Sequence, residues 1–188
     1  MAQSAMVRTL GISGSLRKGS HNTAALRAAV ELVPDGMSLE IADISQIPLY
    51  NDDVRQAGYP PAVQTFRQQI AAADALLFAT PEYNYSMSGV LKNAIDWASR
   101  PPDPPVLGKP VAIMGATPGL WGAARAQYHL RQCFVFLNMF PVNKPEVFIA
   151  QAASKFDAQG KLTDQTTRDV IGQLLVALRD WTRRLNPA

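Results

Sequence analysis

The sequence predicts a doubly wound α/β fold: a parallel sheet of five strands in the order 2-1-3-4-5, with helices on both faces. Three observations lead there. Short apolar runs alternate with helical patterns along the whole chain. The length of 188 residues suits one such domain, spanning 1–188. Two polar loops, "SGSLRKGSHNT" and "PEYNYS", follow the first and third strands. In that order the first and third strands flank the point where strand order reverses, and sheets of this kind receive ligands there, beyond the carboxyl ends of their strands.

Taken in order, "MVRTLGIS" is the first strand. From Asn22 the apolar residues Leu26, Ala29, Val30 and Val33 share one helical face, and Pro34 to Gly36 ends that helix. "SLEIADI" is the second strand, and "SQIPLYNDD" a long connection rich in turn formers. Pro60 and Pro61 open a second helix that runs to Ala72, and "DALLFAT" is the third strand. Ser88 caps a third helix with Val90, Leu91, Ala94, Ile95 and Ala98 on its apolar face. "RPPDPPVLGKP" cannot be helical, because its prolines lack the required N–H groups. "VAIMGA" is the fourth strand, "TPGLWGAARAQ" leads into a long fourth helix, and "KPEVFIA" is the fifth strand. Ile171, Leu174, Leu175, Leu178 and Trp181 repeat at helical spacing in the final helix. There is no internal repeat, low-complexity tract or linker. The arrangement is flavodoxin-like.

Composition narrows the function. Hydrophobic residues make up 47% and charged residues 18%, which excludes disordered and collagen-like chains. The opening "MAQSAMVRTL" lacks the charged start and apolar stretch of a secretory signal. No apolar run approaches the roughly 20 residues that span a bilayer. The single cysteine, Cys133 in "CFVFL", has no internal partner and reads as a buried small side chain. A cytoplasmic protein is expected. The net charge of +3 comes from scattered Lys and Arg residues rather than a stripe, so nucleic acid is not an expected partner. A modest positive field instead favours small anionic ligands.

The first loop suits an anion. Backbone N–H groups at the start of the following helix lack partners, and the helix dipole adds positive partial charge. Ser13, Ser15, Ser20 and Thr23 offer hydroxyls, Asn22 an amide and Arg17 a planar fork for charge-assisted bonds. Gly14 and Gly19 have P-loop spacing, but Ser20 stands where that loop needs lysine, which argues against a nucleoside triphosphatase. Gly11, Gly14 and Gly19 do not fit the dinucleotide fingerprint either. A monophosphate is left, with a solvated serine-rich turn as the alternative.

The second loop suits a ring. Tyr83 and Tyr85 bring aromatic faces, Glu82 and Asn84 polarity, and Pro81 restrains the backbone where the strand ends. A flat heteroaromatic ring with a carbonyl edge needs that mixture. A turn whose tyrosines merely pack is the alternative for this loop alone. Together, phosphate on one loop and a planar ring on the next describe flavin mononucleotide (FMN).

Three stretches carry a family resemblance: "GSLRKGSHN" at 14–22, "PEYNYSMSGVLKNAIDWASRPP" at 81–102 and "GLWGAARAQYHLRQ" at 119–132. They resemble the NAD(P)H-dependent FMN reductase family, close to the bacterial chromate and quinone reductases. The resemblance implies that Ser15, Arg17 and Asn22 bind the FMN phosphate, with Ser20 and Thr23 nearby. It implies that Pro81, Glu82, Tyr83 and Asn84 line the isoalloxazine ring, largely through backbone groups, and that the loop around Thr117 closes another side. "PGLWGAA" departs from the family's glycine-rich pattern at Trp121. The implied chemistry is ping-pong hydride transfer from NADPH or NADH through flavin N5 to a small-molecule acceptor. Quinones lead; chromate, azo dyes and ferric complexes follow. No catalytic side chain or metal is expected, and His21 and His129 lack metal-ligand spacing. A homodimer or homotetramer is implied. Arg100, after the far end of its helix, is a candidate to serve a neighbouring subunit's site. Arg125 and Tyr128, on one helix face, are candidates with Tyr85 and Glu146 for a subunit contact; surface salt bridging is the default for Arg100 and Arg125. The competing reading is a flavodoxin-type electron carrier, although the basic loop and net positive charge favour the reductase.

Overall fold

Residues 6–187 are described by the computed structural model, and in them the alternating pattern becomes a parallel sheet wrapped by helices. Residues 1–5, half of the stretch read for a secretory signal, lie outside the described residues. The chain runs β1 (Val7–Ser13), α1 (His21–Glu31), β2 (Met37–Ala42), α2 (Asp52–Ala57), α3 (Pro61–Ala72) and β3 (Ala75–Ala79). It continues through α4 (Gly89–Ala98), β4 (Pro110–Ala116), α5 (Ala124–Phe136), β5 (Phe140–Pro141), β6 (Val147–Ile149) and α6 (Gln165–Leu185). The sheet order is β2-β1-β3-β4-β5, with β6 also on β4 and every pairing parallel.

Burial follows from that topology. Every residue of β3 and β4 is buried, as expected where helices cover both faces of a parallel sheet. Side chains alternate across it. Leu77 and Met114 pack with Leu26 of α1 and Ile171, Leu175 and Leu178 of α6. Leu76, Phe78 and Ile113 pack on the other face with Phe66 and Ile70 of α3, Leu91 of α4 and Phe134 of α5. Burying each such large apolar side chain contributes about 1.5–3 kcal/mol.

The structure differs from the sequence-based expectation in three places. The fifth position of the sheet is shared: β5 pairs with Pro110 and Val111, while β6, from "KPEVFIA", pairs with Met114 to Ala116. A two-residue strand is too short to show alternation. The connection after β2 contains α2, which is capped by the Asn51 side chain and buries none of its residues, so it has no apolar stripe. In α1, Val30 is 43% exposed and Val33 lies beyond the helix end; Ala25, Leu26, Ala28 and Ala29 form the buried face.

Side chains pin the connections. The indole N–H of buried Trp97 and the Asn93 amide both donate to the Pro48 carbonyl at 2.8 Å. Arg67 donates to the carbonyls of Trp97, Ala98 and Arg100, closing the carboxyl end of α4. At the start of α6, the hydroxyl and N–H of Thr167 donate to the Asp164 carboxylate and hold it below the usual carboxylate range. Because the folded-state value is depressed, this contribution is present above the unfolded value near 4 and is lost as pH falls through the folded value. Asp164→Asn is expected to flatten the acid limb of a stability-versus-pH curve measured by urea denaturation; an unchanged limb would refute it. No helix in the described residues is long and apolar enough to cross a membrane.

Candidate functional site

The loop after β1 is organised by its own hydroxyls. Ser20 caps α1, its Oγ accepting from the Thr23 N–H at 3.2 Å. The Ser13 and Thr23 hydroxyls are 2.8 Å apart and hydrogen-bonded. The N–H groups of His21 and Asn22 have no acceptor among the described residues. Arg17 and Lys18 are exposed and make no ion pair among the described residues. Ser15, Arg17, Lys18, Thr23 and Arg27 line a pocket of about 290 Å³ beside Asp43. A larger cavity of about 440 Å³ lies among Val7, Lys109, Pro110 and Arg183, at the opposite ends of the strands, and includes none of the predicted site residues.

The Asn22 side chain is engaged within the fold. The residue is 4% exposed, and its amide is fully engaged by Ala116, donating to the carbonyl at 3.0 Å and accepting from the N–H at 2.9 Å. Its side chain therefore ties α1 to the end of β4, and only its backbone N–H is available to an anion. The sequence offers this amide among the loop's polar groups, and the resemblance implies phosphate binding by Asn22 without saying through which atoms.

The two predicted loops meet at Gly14. Its N–H donates to the Ala79 carbonyl at 2.8 Å, and its carbonyl accepts from Ser88 Oγ at 2.6 Å. A Cβ there would lie 3.0 Å from Pro81 Cδ and 3.1 Å from Ser88 Oγ, so any larger residue would push the neighbours back by a few tenths of an ångström. Beyond Pro81, Tyr83 and Ser86 exchange backbone hydrogen bonds of 3.0 Å across Asn84 and Tyr85. Both central residues have positive φ, 49° and 66°, the geometry of a type I′ turn. An aromatic residue in the left-handed region is uncommon and costs on the order of 1–3 kcal/mol unless its surroundings hold it. Tyr83 and Tyr85 are exposed. The N–H groups of Glu82, Asn84 and Tyr85 have no acceptor among the described residues.

Glu82 directs its side chain elsewhere. Its carboxylate pairs with Arg125 at 2.6 Å and accepts from the N–H groups of Arg125 and Ala126, leaving only its backbone for a ring. His129 Nδ1 is hydrogen-bonded to Ser86 Oγ at 2.9 Å. The turn is thus stapled to α5 through residues that no local sequence pattern links. The third loop is held by Thr117, whose N–H donates to the Ile149 carbonyl and whose carbonyl accepts from Ala152. Gly122, at φ 53°, allows close approach to Phe148, while Trp121 is 65% exposed. Arg100 stays at the far end of α4, donating to the Asp96 carbonyl and Ser99 Oγ. Glu146 pairs with Lys144, and Tyr128 is exposed. Burial pushes the half-buried Cys133 thiol up, away from thiolate. His21 lies against Phe156, ring centres 4.9 Å apart. No cluster of His, Cys, Asp and Glu fit for a metal occurs among the described residues.

Free N–H groups, hydroxyls and two unpaired cations on one loop match a phosphate ester. Exposed tyrosines and free backbone donors on the adjoining loop match a planar ring with a polar edge. The donor set fits FMN.

A flavodoxin-like sheet carrying these two loops at its switch point defines a flavin-type α/β oxidoreductase. The chain belongs to the NADPH-dependent FMN reductase family, whose model matches residues 7–154. It is 66% identical over 179 residues to an NAD(P)H-dependent FMN reductase of Pseudomonas aeruginosa, covering 95% of this chain and 97% of that one. It is 43% identical over 182 residues to a quinone reductase of Escherichia coli K12, covering 95% and 97%. Among solved structures it resembles the flavoenzyme NAD(P)H:(acceptor) oxidoreductase of Paracoccus denitrificans, with a TM-score of 0.86 and 35% identity over 95% of this chain and 98% of that one. The resemblance carried by the three sequence stretches is borne out.

Proposed function

We propose that this protein uses FMN to pass reducing equivalents from NAD(P)H to quinones. The contact at Gly14, which joins an anion-type loop to an aromatic-rich loop, is the observation that carries this reading. Ser15, Arg17, Ser20, Thr23 and the N–H groups of His21 and Asn22 hold the phosphate. Pro81, Glu82, Tyr83 and Asn84 line the ring through their backbone, and the Thr117 loop closes the third side. Bound FMN supplies the hydride chemistry. The chain's own residues bind and orient. Arg17 and Lys18 neutralise the phosphate charge, the α1 dipole adds to that field, and the left-handed turn at Asn84 and Tyr85 offers its free N–H groups to the ring edge. No side chain is needed as general acid or base.

Names of the relatives support quinones as acceptors; chromate, azo dyes and ferric complexes are further candidates of matching chemistry. The exposed side chains of Trp121, Tyr128, Val135 and Phe136 support a homodimer or homotetramer. A cytoplasmic setting fits the single unpaired cysteine. Purified protein is expected to show oxidised-flavin absorbance that bleaches on anaerobic NADPH addition, and to oxidise NADPH steadily when a quinone is supplied without a partner protein. An FMN-loaded chain inert in that assay would identify an electron carrier instead.

A further inference from the structure

The side chain of Glu82 is 8% exposed, yet it serves no group in its own loop. Its three hydrogen-bond donors are the N–H of Arg125 at 3.0 Å, the N–H of Ala126 at 3.3 Å and Arg125 Nε at 2.6 Å. Helix α5 begins behind Ala123, which sits in the left-handed region, and it has no side-chain cap of its own. Glu82, 43 residues away in the chain, supplies that cap. A carboxylate there is favoured twice, by the free N–H groups and by the helix dipole. The guanidinium of Arg125 also stacks on Tyr85, 3.9 Å from its ring centre, and lies 5.5 Å from that of Trp121. One ion pair therefore touches the turn after β3, the loop after β4 and the start of α5.

We infer that Glu82 and Arg125 are positioning residues that lock the left-handed turn at Asn84 and Tyr85 into the form that receives the flavin ring. The inference rests on the proposed placement of the ring against residues 81–84. Backbone held at positive φ by an aromatic residue persists only where its surroundings over-determine it. Glu82 anchors the turn to the start of α5, and Arg125 lies over the face of the Tyr85 ring. Removing either partner frees the turn to relax toward ordinary backbone angles, and the loss reaches FMN through Asn84 and Tyr85 rather than through direct contact.

The test titrates the full-length chain with FMN and follows both affinity and the backbone amide signals of Tyr83 to Ser86. In the wild type those signals are expected to move on FMN addition; if they stay still, the ring does not lie on this loop and the placement itself fails. With the signals moving, Glu82→Gln and Arg125→Ala are each expected to weaken FMN binding about tenfold. The double variant is expected to be little worse than either single one, and Arg125→Lys to recover only part. In the flavin-free chain, Glu82→Gln is expected to shift the Asn84 and Tyr85 amides while the melting temperature falls by only a few degrees. Wild-type FMN affinity in Glu82→Gln, or losses that multiply in the double variant, would overturn the lock while leaving the flavin placement intact.

Discussion

Arg17→Ala is expected to raise the FMN dissociation constant by about 10- to 100-fold while leaving the flavin-free fold intact. Hydrogen bonds to charged groups are worth about 1.5–3 kcal/mol, and each 1.4 kcal/mol is a factor of ten in affinity. Arg17 is exposed and makes no ion pair among the described residues, so it has little native structure to lose. Surface changes of that kind stay within about 0.5 kcal/mol, or roughly 2 °C in melting temperature for a domain of this size. Fluorescence titration with FMN reads the first quantity and thermal denaturation of the flavin-free chain reads the second. Arg17→Lys should fall between, because a lysine keeps the charge but loses the two-pronged geometry. Unchanged affinity in Arg17→Ala would remove the phosphate from this loop.

Asn22→Ala is expected to act the other way, on the fold first. Its amide satisfies both the N–H and the carbonyl of Ala116, at 2.9 Å and 3.0 Å, in a site where Asn22 and Ala116 are each 4% exposed. Alanine would leave both backbone groups buried without partners, at about 1–3 kcal/mol each. The expected loss is therefore about 2–5 kcal/mol, or roughly 5–15 °C in melting temperature. Urea denaturation of the flavin-free chain measures it. Saturating FMN should restore part of the stability by mass action, since the backbone N–H of residue 22 survives the substitution. A variant as stable as the wild type would mean that α1 does not depend on this bridge to β4. The two substitutions, five residues apart across the junction of the first loop and α1, thus separate ligand binding from folding.

The legibility of the fold depended on how much of each element's role was local. β3 and β4 were readable because helices cover both their faces, and full burial demands unbroken apolar runs. Helix α6 was readable because Ile171, Leu174, Leu175 and Leu178 face one core, in the 3.6-residue rhythm. α2 escaped because it buries nothing, and β5 because two residues carry no rhythm. In the site, the hydroxyls of Ser13, Ser20 and Thr23 and the positions of Gly14 and Pro81 were legible as loop chemistry. For Asn22 and Glu82, residue type and the family resemblance pointed to the ligand but could not show that their side chains are taken up by Ala116 and Arg125.

What the amino-acid order determined by itself was the strand–helix alternation, the placing of two polar loops after β1 and β3, and the kind of ligand their residues suit. Which side chains remain free for that ligand was decided only in three dimensions. The reason is the reach of the bonds concerned. Periodicity reports neighbours two, three or four residues away, whereas Asn22 and Ala116 are 94 residues apart and Glu82 and Arg125 are 43 apart. Partners at such separations meet because the sheet stacks β1, β3 and β4 side by side, and no local pattern records that meeting.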